Sequence, residues 1–229
     1  MDVINIGIIG AGYRGVNTLA ERIVEVSRQT GLRVRALCDT REDRLEECQA
    51  HLTGLFSDQG IEAHIDLTGD HNAVIQSPDI DLVMVTTPQN AHRMPAITAL
   101  ESGKKVYCDK PIAHTLEDAI AILDAEKRTG NQMILGFTRR YEAPWRKAYE
   151  LVQEGMIGDL HMMQIRDIIP FHTYFHRWHR RREWSGEAIN DKSSHHMDVF
   201  NWFSGSRAER ISGLGGQRVF TPKEDAPER

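Results

Sequence analysis

Residues 3–15 read VINIGIIGAGYRG, an apolar, β-branched run followed at once by a G-x-G-x-x-G loop at Gly10, Gly12 and Gly15. Strand, glycine turn and helix formers in this order are what a dinucleotide-binding βαβ unit requires. The three glycines serve different ends: a tight turn at Gly10, close approach of backbone to a pyrophosphate at Gly12, close packing of helix on strand at Gly15. A side chain would obstruct all three. The helix opening near Tyr13 offers its first N–H groups and the positive end of its dipole to the phosphates, and Tyr13 and Arg14 are counted among the cofactor-binding residues.

Outward from the loop, Val16, Leu19, Ala20, Ile23 and Val26 mark a helical face, and a second strand over 32–38 ends in Asp39. That acid stands at the separation from the glycines where a carboxylate accepts bonds from the adenosine ribose hydroxyls. It also repels a 2′-phosphate, which favours NAD over NADP. Arg41 blurs the preference, because a guanidinium can stack on adenine or pair with that phosphate. The structural alternative makes Asp39 a strand-end turn residue or a helix N-cap.

At 229 residues the chain can hold one large domain or two small ones, and 40% hydrophobic with 27% charged residues is ordinary for a globular protein. A net charge of −5 argues against nucleic acid as the main partner, although HRWHRRREW at 176–184 is locally basic. That run meets an anionic substrate or is a solvated surface. No apolar run approaches the roughly 20 residues that span a bilayer, and no basic, cleavable leader precedes the first strand. Cytoplasm is therefore the expected location. Cys38, Cys48 and Cys108 have no close pairing, which fits a reducing compartment and core roles.

Strand-like and helix-like segments alternate over residues 1 to about 137, the pattern of a parallel sheet covered on both faces. Strands are expected at 3–9, 32–38, 61–65, 81–86, 104–108 and 132–137, and helices at 13–29, 41–54, 70–76, 90–102 and 115–129. Thr115 with Asp118 makes a capping-box-like start for the last of these, and Gly130 stops it. Right-handed crossovers put the strand carboxyl ends on one edge, where ligands bind. Three polar motifs fall there: Thr86-Thr87-Pro88-Gln89-Asn90-Ala91-His92, Cys108-Asp109-Lys110-Pro111, and Gly136-Phe137-Thr138-Arg139-Arg140-Tyr141. The first places Thr87, Pro88, Asn90 and His92 on the nicotinamide half of the cofactor. In the second, Pro111 fixes the backbone beyond Lys110. The third closes the nucleotide-binding half and contributes Arg140.

The ordered set GAGYRG, TTPQNAH, CDKP and GFTRRY resembles the glucose-fructose oxidoreductase / inositol dehydrogenase / MocA (Gfo/Idh/MocA) family, with CDKP where the family usually has E-K-P. The resemblance implies a Rossmann domain, here residues 1–140, followed by an α/β substrate domain on an open, mostly antiparallel sheet, here residues 141–229. It also implies an NAD(P)-dependent oxidoreductase of sugars, cyclitols or their derivatives, with Lys110 working at the substrate and association of subunits through the substrate-domain sheet. Family members are longer than this chain, and 156–229 is too short for the full sheet, so a fragment is expected.

Beyond Tyr141 a helix is expected at about 144–154, an alternating strand at 160–169, a polar segment at 170–186, a helix at 188–204, a strand at 207–219 interrupted by Gly213–Gly216, and a tail without core pattern. In SGEAINDKSSHHMD, Asp191, His195 and Asp198 are spaced four and three apart and share one helical face. His196 is turned away from His195 by about 100°. The stretch resembles the family's G-G-G-x-L-x-D-x-G-x-H-x-x-D motif, whose aspartate and histidine are catalytic in inositol dehydrogenase-like members. Three of its glycines are replaced by Ser185, Glu187 and Ser193, and Lys192 adds a charge. The structural alternative makes Asp191 an N-cap and His195 a core histidine.

His172, His176 and His179 have a helix-compatible spacing but sit in a loop-like run without a partnering acid pattern, so no metal site is assigned. Ser193 and Ser194 beside His195 do not face it on a helix, and there is no nucleophile elbow. The expected chemistry is hydride transfer to or from a nicotinamide, with His195 as general acid/base, Lys110 on the same substrate oxygen and able to share the proton, and Asp191 orienting His195 or binding a neighbouring hydroxyl. Tyr174, Trp178 and Arg182 are the candidate sugar contacts. Two rivals remain: a glycosidase or lyase of the same architecture that uses NAD transiently, and a non-catalytic NAD(H)-sensing regulator.

Overall fold

In a computed structural model that describes residues 2–168 and 178–216, the chain divides into two compact units, Met1–Gly136 and Phe137–Arg229. The first unit holds a six-stranded parallel sheet in the order β3-β2-β1-β4-β5-β6, made of β1 Ile4–Ile9, β2 Leu32–Cys38, β3 Asp66–Thr68, β4 Leu82–Val85, β5 Lys105–Cys108 and β6 Met133–Leu135. The helices are α1 Glu21–Thr30, α2 Glu42–Asp58, α3 His71–Gln76, α4 Arg93–Glu101 and α5 Leu116–Thr129.

Both faces of the sheet are buried because alternate residues of each strand enter different cores. Ile6 and Ile8 of β1 and Met84 of β4 pack with α1 and α2 residues such as Val24, Leu45, Leu52 and Phe56. Ile9, Val83 and Val85 pack on the other face with Ala96, Ala99, Leu100 and Ile122 of α4 and α5. Each fully buried Ile, Leu or Val contributes about 1.5–3 kcal/mol. Gly7 is small for a packing reason, since a Cβ there would collide with Val74 and stand 3.3 Å from Ile80.

The register sets up the site. Ile9 is paired with Cys38 and with Val85, Val85 with Cys108, and Cys108 with Leu135. The residues that follow, Asp39, Gly10, Thr86, Asp109 and Gly136, therefore leave the sheet at one edge, with the order reversal lying between β1 and β4. Local signals place the helices: Thr115 Oγ1 accepts from the Asp118 N–H at 3.2 Å and Gly130 takes a left-handed φ of +66°.

Several boundaries differ from expectation. The third strand is 66–68 rather than 61–65, because an edge strand exists only where β2 offers partners, Ala36 to Cys38. The helix expected at 13–29 begins as a π-helical segment, Arg14–Ala20, with the Thr18 N–H on the Tyr13 carbonyl at 3.1 Å, and continues as α1. The fourth helix is preceded by a separate 3-10 turn at Gln89–Ala91.

The second unit contains a 3-10 turn at Thr138–Tyr141, then α6 Ala143–Gln153, α7 Arg182–Ser185, α8 Glu187–Asp191 and α9 Ser193–Ser204. Tyr149 of α6 stacks on Trp202 of α9 at 4.5 Å, and Phe203 meets Tyr149 edge-on at 5.7 Å. No strand forms over 160–168 or 207–216, a correction of both expected strands. A strand needs a neighbour for its N–H and C=O groups; Leu160, Met163 and Ile165 are half-buried, whereas Met162 and Ile211 stand out in solvent at 85% and 70% exposure. The helix expected at 188–204 is broken at Lys192, where Ser194 Oγ bonds the Asp191 carbonyl at 3.2 Å and the His195 N–H the Lys192 carbonyl at 3.2 Å. Side chains of this kind compete with the helical ladder. No helix among the described residues is long and apolar enough to cross a membrane.

Candidate functional site

The glycine loop after β1 is held from both neighbouring strands. The Gly10 N–H donates to the Cys38 carbonyl at 2.8 Å and the Thr86 N–H to the Ile9 carbonyl at 2.8 Å. Gly10 has φ +101°, and a Cβ there would stand 2.6 Å from the Thr87 nitrogen. At Gly15 a Cβ would collide with the Gly10 carbonyl and stand 2.6 Å from Thr86 Oγ1, which itself donates to the Gly10 carbonyl at 2.8 Å. In front of Gly12, by contrast, there is nothing within 4 Å. Two glycines thus close the turn and the third leaves room above it. With first-turn N–H groups that a helix cannot pair internally, this fits a pyrophosphate.

Asp39 closes one end of this edge. Its side chain is 9% exposed, with Oδ1 accepting from the Arg41 N–H and Oδ2 from Arg44 Nη1, both at 3.1 Å. Arg41 itself turns to Asp43 on the surface. The arginine beside Asp39 is therefore Arg44, which the sequence reading missed; its signal was the start of α2 at Glu42, which places position 44 in the first turn.

After β4, Thr87 Oγ1 is buried and has no hydrogen-bond partner among the described residues, leaving a hydroxyl for a ligand to satisfy. Pro88 is half-buried and Asn90 exposed. His92, expected on the nicotinamide half of the cofactor, is 1% exposed, with Nε2 2.9 Å from the Thr87 carbonyl and Nδ1 3.1 Å and 3.2 Å from the carbonyls of Pro111 and Ile112. Burial lowers its pKa. The ring ties the loop after β4 to the loop after β5.

Around Lys110, Arg14 Nε and Nη2 grip Asp109 Oδ2 and Oδ1 at 2.9 and 3.0 Å, and Tyr107 Oη donates to Asp109 Oδ1 at 3.3 Å. Burial opposes the Arg14 charge, but its bonds to Asp109 outweigh burial and its pKa is raised. Burial pushes the Tyr107 phenol up as well. Lys110 is half-buried between Asp109 and Pro111.

In the second unit Asp191, 3% exposed, ends α8, and His195 in the first turn of α9 meets the Phe137 ring edge-on at 6.0 Å. Asp198, 9% exposed, accepts three bonds from Arg140 at 2.8–3.1 Å, so Arg140 is engaged by a carboxylate. The bonds to Asp198 raise the Arg140 pKa. Asp167 gathers Arg139 at 2.9 Å, Lys192 at 3.0 Å and His196 at 3.1 Å. Its carboxyl is held well below the usual range by the His196 bond first and the Lys192 bond next. Asp167 went unnoticed in the sequence because it lies in a run that predicts a strand. Trp178 stacks on His179 at 3.9 Å and Arg182 is exposed; Tyr174, with His172 and His176, lies outside the described residues.

Residues 4–137 match the pattern of the "Oxidoreductase family, NAD-binding Rossmann fold" and residues 149–227 that of the "Oxidoreductase family, C-terminal alpha/beta domain". The chain is 32% identical over 203 residues to inositol 2-dehydrogenase 3 of Saccharopolyspora erythraea, covering 87% of this chain and 53% of that protein. Among solved structures it is similar to a probable dehydrogenase from Thermotoga maritima (TM-score 0.70, 27% identity, 88% of this chain and 55% of that one). It shares its fold with levoglucosan dehydrogenase solved with NADH and levoglucosan (TM-score 0.72, 24% identity, 90% and 55%). The chain spans about half the length of the curated relatives it matches. With an NAD-binding Rossmann unit over residues 4–137 and a match to the C-terminal α/β domain over residues 149–227, the chain belongs to the Gfo/Idh/MocA oxidoreductase family.

Proposed function

We propose that the protein is an NAD(P)-dependent dehydrogenase acting on a hydroxyl-bearing carbon of a sugar, cyclitol or derivative. The observation that carries this reading is the sheet edge of the first unit, where open space at Gly12, the fixed carboxylate of Asp39 and the buried Thr87 hydroxyl, which has no partner among the described residues, follow adjacent strands. The relatives named as inositol dehydrogenases agree with it.

In this reading Asp39 accepts from the adenosine ribose hydroxyls, the first helical turn after Gly12 takes the pyrophosphate, and Thr87, Pro88 and Asn90 meet the nicotinamide end. When bound, the nicotinamide accepts the hydride that leaves the substrate carbon. The hydroxyl proton then has to go to a protein group as the carbonyl forms. His195 takes it, Asp191 orients His195, and Lys110 donates a hydrogen bond to the substrate oxygen. Trp178, Arg182 and Tyr174 are assigned to the sugar, residues 1–140 to the cofactor and 141–229 to the substrate and to self-association. The free Cys38, Cys48 and Cys108 suit a reducing, cytoplasmic setting.

Titration of the full chain with NADH, followed by nicotinamide fluorescence, tests the first half of the reading. A screen of polyols, aldoses and uronic acids for NADH formation tests the second. Binding with turnover on one substrate class is expected. Absence of NADH binding would sink the reading, and sugar release without net NADH would replace dehydrogenation by a transient redox cycle.

A further inference from the structure

Lys110 is held on both of its flanks. On one side the Asp109 N–H donates to the Val85 carbonyl at 2.9 Å and its carboxylate is gripped by Arg14. On the other, the Pro111 carbonyl faces His92 Nδ1 at 3.1 Å. The Arg14 end is built to be specific. Nε and Nη2 engage both carboxylate oxygens in a fork, and Nη2 also lies 3.4 Å from Tyr107 Oη. The side chains of Arg14 and Asp109 are 30% and 11% exposed. Room for the cluster is kept by Gly136, where a Cβ would collide with Tyr107 Oη and stand 2.7 Å from Asp109 Oδ1.

An arginine between the glycines of a dinucleotide loop reads at first as a phosphate ligand. Here the edge that would take two phosphate oxygens is already occupied, and turning it outward would leave the Asp109 carboxylate nearly buried without its cation. We propose that Arg14 is a positioning residue for Lys110, acting through Asp109 and Tyr107, and is not a ligand of the cofactor phosphates. The glycine loop and the lysine are thereby one mechanical unit. The functional weight of this rests on the substrate role assigned to Lys110; the geometry does not.

The test is competitive acylation of lysines in the full chain, without cofactor, using a limiting N-hydroxysuccinimide ester and peptide mass spectrometry, with Lys147 of the second unit as internal reference. Arg14→Met should change the Lys110 labelling rate about threefold or more and leave Lys147 unchanged. Arg14→Lys, which keeps the charge but not the fork, should fall between. In an Asp109→Asn background, Arg14→Met should add little. NADH affinity should stay within about twofold in Arg14→Met, whereas a turnover assay should lose about 10- to 100-fold in kcat with KM little changed. Should Arg14→Met fail to fold, Arg14→Lys carries the test alone. Wild-type Lys110 labelling in these variants overturns the proposal, as does a tenfold loss of NADH affinity that persists in the Asp109→Asn background. A chain that binds no NADH yet shows Arg14-dependent Lys110 labelling would fail the dehydrogenase reading while leaving the positioning role intact.

Discussion

Arg44 Nη1 lies 3.1 Å from Asp39 Oδ2, so the carboxylate at the end of β2 is shared between a protein cation and whatever meets it from outside. An isolated carboxylate repels a 2′-phosphate, and an adjacent guanidinium weakens that repulsion. Wild-type protein should therefore discriminate only modestly between NADH and NADPH. Arg44→Leu should widen the ratio of affinities toward NADH by about tenfold, and Asp39→Ala with Arg44 retained should shift it toward NADPH by a similar factor, about 1.4 kcal/mol each. Fluorescence titrations with both nucleotides measure it. A ratio that neither variant moves would remove Arg44 from specificity.

His92 joins the loops after β4 and β5 from inside the core. Replacing it by Ala strands buried carbonyls and opens a cavity, so we expect a loss of about 2–4 kcal/mol in denaturant unfolding. His92→Gln, which can still donate to one side, should recover part of it. A surface-like loss below about 0.5 kcal/mol would contradict the tie.

Asp198 accepts three bonds from Arg140, whose guanidinium also lies 5.7 Å from the Trp202 ring. Arg140→Met should destabilise the second unit by about 1–3 kcal/mol through the unpaired Asp198, and Asp198→Asn added to it should give back much of that loss. Thermal melts of the two single variants and the double variant complete the cycle.

The Asp167 carboxyl is depressed in the folded chain, which means the unfolded chain binds the extra proton. Stability from this group is thus fully present above the unfolded carboxylate value of about 3.9 and is lost as pH falls below it toward the folded value. Melting temperature followed downward from about pH 5 should fall less steeply in Asp167→Asn than in wild type. Equal slopes would show that the cluster with Arg139, Lys192 and His196 contributes nothing.

The strands of the first unit were legible because burial on both faces forces continuous apolar runs, as in INIGII and LVMV. Gly10, Gly15, Thr115 and Gly130 were legible because each answers a local backbone need. Asp66–Thr68 was not, since a three-residue edge strand is defined by its neighbour. The break at Lys192 was missed for a different reason: spacing by fours and threes describes one continuous helix, while Ser194 offers the backbone another partner.

Period and turn chemistry, which act within a few residues, were enough to declare the Rossmann unit, its ligand edge and Asp39, and the family resemblance added Lys110, Asp191 and His195 as candidates. Which arginine meets which acid was decided only in three dimensions. Arg14 to Asp109, Arg44 to Asp39 and Arg140 to Asp198 are pairings between side chains that register and helix phase bring together, and a long flexible cation carries no mark in the chain of the carboxylate it will find.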